Sequence, residues 1–385
     1  MFLSFTLTRF LAVIIKPLIL LFLVWIEDEL SYVYSLIIVF NALGLALFNC
    51  EAHKYFYKDI LDLDSFSYKK NYFKYLEILT SHLFIFLLPL FLFFFFSHNL
   101  MLAFLITIIL LSDKILDESQ RYYIYTKNYY FWIKDSLFRY FLPSLGFIFF
   151  LNDFSIICYT FFVFSGALLK INSLKIFNKF FKIINLKKYL NFVFKKHYLL
   201  LGFSITGSLT LVLDKLLVEK IFSDSLPEYL LIFQIANMII LLVDYFYLTR
   251  MRPIWLHQIT FNIQEFKSLS FFSFLPFFVI FSTLYFLNLQ DFFNFIEIFN
   301  FPLLILVGLS IISYVFYLTL SQQAYWHLSS SMLFKLEFLP FIFYMISLAI
   351  IILFFSNSIL LVPLALFFYI TLKNILYAYK LKNVE

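Results

Sequence analysis

Ile85-Phe-Leu-Leu-Pro-Leu-Phe-Leu-Phe-Phe-Phe-Phe96 carries no polar side chain. A strand of a membrane barrel alternates apolar and polar residues. This stretch does not alternate. With its flanks it reaches from 76 to 97, and about twenty helical residues cross about 30 Å of hydrocarbon at 1.5 Å per residue. The stretch therefore reads as a membrane-spanning helix, and similar blocks lie on both sides of it.

The whole chain of 385 residues is 63% hydrophobic and 14% charged, with a mean hydropathy of +0.92. Soluble chains are about half apolar and about a quarter charged. The expected spans are 5–26, 31–49, 76–97, 99–116, 133–151, 154–170, 198–218, 228–248, 268–287, 300–320, 333–355 and 359–377. The fold class expected is an all-α integral membrane protein of about twelve transmembrane helices in two six-helix bundles, with both termini cytoplasmic. Arg9 precedes an apolar run, as in a signal peptide. Lys16 interrupts that run and no small-residue cleavage site follows, so a retained first span is the expectation.

The charges set the orientation. With the N-terminus inside, the cytoplasmic connections hold Lys54, Lys58, Lys69, Lys70 and Lys74, then Arg121 and Lys127, then the lysines of 170–196, then Arg250, Arg252 and Lys267, and finally Lys380 and Lys382. The opposite loops read Glu27-Asp28-Glu29, Ser97-His98-Asn99, Asn152-Asp153, Asn288 to Asp291 and Ser356-Asn357-Ser358, and Lys220 is their one clear cation. Positive charge belongs inside. A missed span would scramble the alternation.

The longest basic stretch divides the chain into an N-terminal bundle (1–170), a linker (171–197) and a C-terminal bundle (198–385). Phe177, Phe180, Phe181, Ile184 and Leu186 alternate there with lysines, as in an amphipathic helix on the inner membrane face; a solvated linker is the alternative. Carriers are often built from two such halves around a midplane site. Lys16 to Asn41 and Lys215 to Asn237 share an order of lysine, apolar run, acidic outer turn, tyrosine, apolar run and asparagine.

Several chemistries are excluded. Six glycines leave little material for a phosphate-binding loop, and the histidines at 53, 82, 98, 197, 257 and 327 lack metal-ligand spacing. Cys50 and Cys158 form no disulfide framework. No cofactor or metal is expected. The outer loops are too short for a catalytic domain. The net charge of +6 reflects topology, and nucleic acid is not a sensible partner.

Charge inside a span is costly and marks a partner or a wet cavity. Lys16 lies about 15 Å into the first span, beside the helix-breaking Pro17. It reads either as a cation facing a substrate cavity or as half of an ion pair with Asp244 or Glu77. Arg139, near Pro143 and Gly146, is a second cavity cation or snorkels to the inner face. Lys215 is a third, or pairs with Asp214, or snorkels outward. Asp244, Asp214 and His82 are the candidates for ion coupling; Asp244 could instead pair with Arg250, and His82 could simply be a satisfied histidine. Ser204, Thr206, Ser208 and Thr210, with Gly202 and Gly207, suggest close packing or a wet wall.

Two stretches carry a resemblance. Leu213-Asp214-Lys215-Leu216-Leu217-Val218, continuing through Tyr229 and Gln234 to Ala236, is similar to an acidic–basic pair ending a seventh helix before an apolar eighth. Glu118-Ser119-Gln120-Arg121, through Lys127 to Trp132, is similar to a cytoplasmic fourth-to-fifth connection. Together with the layout, they resemble the O-antigen (Wzx-type) polysaccharide flippases of the multidrug/oligosaccharidyl-lipid/polysaccharide superfamily. The resemblance implies a transporter rather than an enzyme, in a bacterial inner membrane. It implies an undecaprenyl-pyrophosphate-linked oligosaccharide as substrate, of O-antigen or capsule type, moved from inner to outer leaflet by alternating access. It also implies that the first helix, and so Lys16, faces the substrate cleft. Besides membrane lipids, glycan polymerase and chain-length machinery are the partners implied. The alternatives are a small-solute or drug exporter of the same superfamily, a major-facilitator carrier, and a membrane-embedded glycan polymerase or acyltransferase.

Overall fold

The computed structural model describes residues 2–26, 29–48, 81–83, 85–97, 100–125, 128–149, 154–173, 190–191, 198–243, 247, 251, 263–289, 301–355 and 358–382. Among them there is helix and turn but no strand. The first group of helices is α1 (Phe2–Trp25), α2 (Leu30–Phe48), α3 (Ser81–Ser97), α4 (Leu100–Tyr125), α5 (Tyr129–Ser136), α6 (Leu142–Phe149) and α7 (Phe154–Ser173). The second is α8 (Tyr198–Leu209), α9 (Leu213–Ile221), α10 (Leu226–Val243), α11 (Ile263–Leu289), α12 (Phe301–His327), α13 (Ser330–Phe354) and α14 (Leu361–Lys382). Most of the 171–197 linker, and Asp244 with its possible partners Glu77 and Arg250, lie outside the described residues.

Among the described residues, α12 (over Phe301–Tyr325), α13 and α14 are each long and apolar enough to cross a membrane, and α8 with α9 qualifies as a bent pair. Their surfaces are arranged for lipid. On α13, Leu333, Leu336, Pro340, Tyr344, Leu348 and Ile351 are buried along one stripe. Leu339, Phe343, Ile346, Ile350 and Leu353 on the other side are exposed. An exposed face this apolar would be a liability in water and is the ordinary outer surface of a helix in hydrocarbon.

Contacts divide the chain into two compact units: Met1–Ile19 with Val33–Leu209, and Leu20–Tyr32 with Thr210–Glu385. In the first, α7 packs against α4 and α6, and α4 against α5. In the second, α14 packs along α12 and α13, α10 lies against α11 and α12, and α9 touches α10, α13 and α14.

The described helices carry local features that the expected span boundaries do not give. Where the sequence ends a span at 116, α4 runs on to Tyr125; its polar end is buried and ion-paired, so polarity does not end the helix. Between α5 and α6, Leu137–Phe141 is a π turn, with the Leu142 N–H donating to the Leu137 carbonyl. Pro143 has no N–H to give the preceding turn, and a widened turn there takes up the mismatch. Finally, the expected span 198–218 is broken at 210–212 with a 45° bend between its parts. The Thr206 hydroxyl donates at 2.8 Å to the Gly202 carbonyl, the back-bonding that bends helices.

Candidate functional site

Each unit contains its own buried polar network. In the first, α4 supplies Asp113, Lys114, Asp117, Glu118, Ser119 and Gln120, spaced so that successive turns present acceptors to α5 and the π turn. Arg139, placed by that turn, is buried among them. Its Nε and Nη2 donate to the two carboxylate oxygens of Asp113 at 2.7 and 3.0 Å. Its Nη1 donates to Asp117 at 2.8 Å and to the Gln120 carbonyl oxygen at 2.9 Å. This two-pronged grip is the strong form of a charge-assisted pair.

The network continues to either side. Lys114 pairs with Glu118 one turn on, at 2.6 Å. Ser119 donates to Asp135 at 2.6 Å, and Gln120 to the Ser136 hydroxyl at 3.0 Å. Lys170, near the end of α7, forms an ion pair with Asp135 and lies 5.0 Å from the centre of the Tyr123 ring. Carboxylates and cations alternate through the cluster, so no buried charge stands alone, as the low dielectric of an interior demands.

Lys16 sits at the margin of this network and is half-buried. Its ammonium lies 5.7 Å from the centre of the Tyr140 ring, whose neighbour on the same ring is the Arg139 guanidinium at 5.0 Å. It lies in the field of Asp113, yet among the described residues it makes no ion pair. His82 is buried, and its Nε2–H donates to the Leu47 carbonyl at 2.7 Å while the ring rests on Phe86.

In the second unit the Asp214–Lys215 pair is buried at 3.2 Å. The Tyr229 hydroxyl donates to Asp214 at 2.6 Å. The Lys215 ammonium also donates to the Leu211 carbonyl, freed by the helix break, and lies 3.2 Å from the centre of the Phe233 ring. Lys215 thus closes the break it follows.

A second pair in this unit escaped the sequence reading. Glu337 on α13 and Lys373 on α14 are fully buried and meet at 2.5 Å. The hydroxyls of Tyr317 and Tyr377 each donate to Glu337 Oε1 at 2.7 Å. Lys373 lies 3.8 Å from the centre of the Tyr317 ring and 3.5 Å from the Tyr369 hydroxyl, which is itself 2.9 Å from that of Thr210. Tyr369 stacks on Tyr344 at 4.6 Å. A signal was present: Glu337 is four residues from the inner end of the expected span 333–355, and Lys373 is four from the inner end of 359–377. Adjacent antiparallel spans put such residues at one depth.

Of the three cations singled out from sequence, Arg139 and Lys215 are held by carboxylates and Lys16 by a ring. Among the described residues, no group of three His, Cys, Asp or Glu side chains is placed to hold a metal ion. No protein family, curated protein or solved structure matches the chain.

Proposed function

We propose that the protein is a carrier in a bacterial cytoplasmic membrane, with about twelve spans in two six-helix bundles and both ends cytoplasmic. It moves an undecaprenyl-pyrophosphate-linked oligosaccharide of O-antigen or capsule type from the inner to the outer leaflet by alternating access. The resemblance to the Wzx-type flippases supports this reading, and so does the charge alternation of the loops.

The observation that carries it is Lys16. A half-buried ammonium beside a tyrosine ring, with no ion pair among the described residues, keeps its donors for an anionic ligand. A pyrophosphate offers such an anion. The neighbouring Arg139, spread over Asp113, Asp117 and Gln120, has four of its five N–H donors engaged within the protein, which leaves Lys16 the freer cation. Glycan polymerase and chain-length machinery are the partners of such a carrier.

The test is deletion of the gene. The reading predicts that surface glycan is lost and lipid-linked repeat units collect on the inner leaflet. Unchanged surface glycan would sink it. Loss of resistance to small solutes, with glycan intact, would point to an exporter instead.

A further inference from the structure

We propose that Tyr130 and Lys134, on the exposed face of α5, hold the phosphate of an anionic glycerophospholipid where the membrane meets water. The inference rests on the membrane setting of the chain and is independent of what the protein carries.

The sequence sets this stretch apart. Residues 121–134 hold Arg121, Lys127 and Lys134 and no carboxylate, with seven aromatic residues among them. Aromatic rings gather at the membrane–water interface, and each cation beside an anionic leaflet adds attraction. α5 begins just ahead of the expected span 133–151, so its first turn falls at the level of the headgroups.

The structure divides these rings between two faces. Tyr123 and Trp132 are buried, and Phe131 stacks on Tyr123 with ring centres 5.4 Å apart. Tyr130 is 60% exposed and meets Phe131, itself 40% exposed, edge-on at 5.5 Å. The two form an outward aromatic step. Lys134 is exposed and lies one turn beyond Tyr130 on the same face. Leu137, 44% exposed, continues that face toward the hydrocarbon.

Charge is handled unequally along α5. Asp135 is fully buried, where it accepts from Ser119 and pairs with Lys170. Lys134, about 100° away around the helix, makes no ion pair among the described residues. A cation at the edge of hydrocarbon needs an anion or water. Helical side chains lean toward the N-terminus of their helix. The Lys134 stem therefore runs back toward Tyr130, and its ammonium reaches the level of that hydroxyl. A phosphodiester placed there accepts from both groups, with its acyl chains along Leu137. Lys335, the exposed lysine of α13, has no such partner, since the residue one turn before it is Ser331.

The experiment is native mass spectrometry of the full chain in detergent, titrated with palmitoyl-oleoyl phosphatidylglycerol and, separately, with phosphatidylcholine of the same chains. The native protein should retain a first phosphatidylglycerol more tightly than phosphatidylcholine. Lys134→Gln should weaken that first binding about fivefold, the factor that matches one lysine's attraction to an anionic surface. Lys134→Arg should restore it, and Tyr130→Phe, which keeps the ring, should weaken it. Equal retention of the two lipids, or unchanged binding in Lys134→Gln, would overturn the proposal. An equal fall in Lys335→Gln would reveal a general effect of charge and overturn it too. So would displacement of the lipid by glycerol 3-phosphate, which would make this a site for free phosphates. If Lys134→Gln does not accumulate, Tyr130→Phe carries the test, and unchanged binding there counts against the site.

Discussion

Arg139 and Lys16 each lie over the Tyr140 ring, at 5.0 and 5.7 Å from its centre, and differ in what their loss exposes. Arg139 is one side of a closed account of charge: replacing Asp113 with Asn removes one of the two carboxylates that hold a buried guanidinium and ends the two-oxygen grip. Breaking one partner from a buried pair costs about 3–5 kcal/mol, so Asp113→Asn should lower the thermal midpoint in detergent markedly. Arg139→Lys should do nearly as much, because an ammonium cannot span two carboxylates and an amide at once. Lys16→Met strands no carboxylate among the described residues and forfeits one ring contact, about 0.5–1 kcal/mol at most exposed sites. Its midpoint should stay near that of the native protein while transport falls. A large loss of folded protein would restore the ion-pair reading of Lys16.

Much at this scale was legible, because a charge inside an apolar run stands out. Lys16, Arg139, Asp214 and Lys215 all did so. The partners of Arg139 were harder to see. Residues 117–120 read as loop, since a polar stretch after an apolar one looks like the end of a span. Only the packing of α5 and α7 over them shows that their polarity is satisfied internally. Glu337 and Lys373 do not stand out, because each lies near the end of a span and only their common depth marks them as a pair.

At the scale of elements, two departures from straight helix occur where charge is handled. The π turn before Pro143 carries Arg139, and the break at 210–212 is closed by Lys215. Prolines and small polar residues announce bends in sequence; they do not say which carbonyl is released or what takes it up. Close approach is set by glycine. A Cβ on Gly166 would lie 2.5 Å from the Phe138 Cβ, an atom that cannot turn away without its backbone. A Cβ on Gly44 would meet the Leu110 Cδ2, Cδ1 and Cγ at 2.4, 2.9 and 3.0 Å, all atoms of one flexible side chain that can change rotamer. Gly166→Ala should therefore destabilise by about 1–3 kcal/mol, the usual cost of overpacking, and Gly44→Ala by clearly less. Thermal unfolding of the two variants in the same detergent compares them directly, and equal midpoints would contradict the contrast.

At the scale of the molecule, among the described residues, apolar faces point outward and paired charges lie inside, the reverse of a protein built for water. Helix content and apolar exposure follow from composition. The count of about twelve spans rests on the loops, since α12, α13 and α14 are the ones that by themselves reach spanning length and apolarity among the described residues. Thiol labelling of single-cysteine variants, with Cys50 and Cys158 replaced, checks the proposed topology. Ser358→Cys should react with an impermeant reagent added outside intact cells, and Lys382→Cys only after permeabilisation. The opposite pattern would invert the orientation.

The central claim is that Lys16 presents its ammonium to an anionic lipid-linked sugar that the protein carries across the bilayer. The most direct measurement uses purified protein in liposomes with a polyprenyl-pyrophosphate-linked oligosaccharide, and follows arrival of the sugar at the far leaflet with an impermeant sugar-binding probe. The account predicts arrival with the native protein and near-complete loss with Lys16→Ala, the variant remaining folded. No arrival with the native protein, or equal arrival with Lys16→Ala, would contradict it.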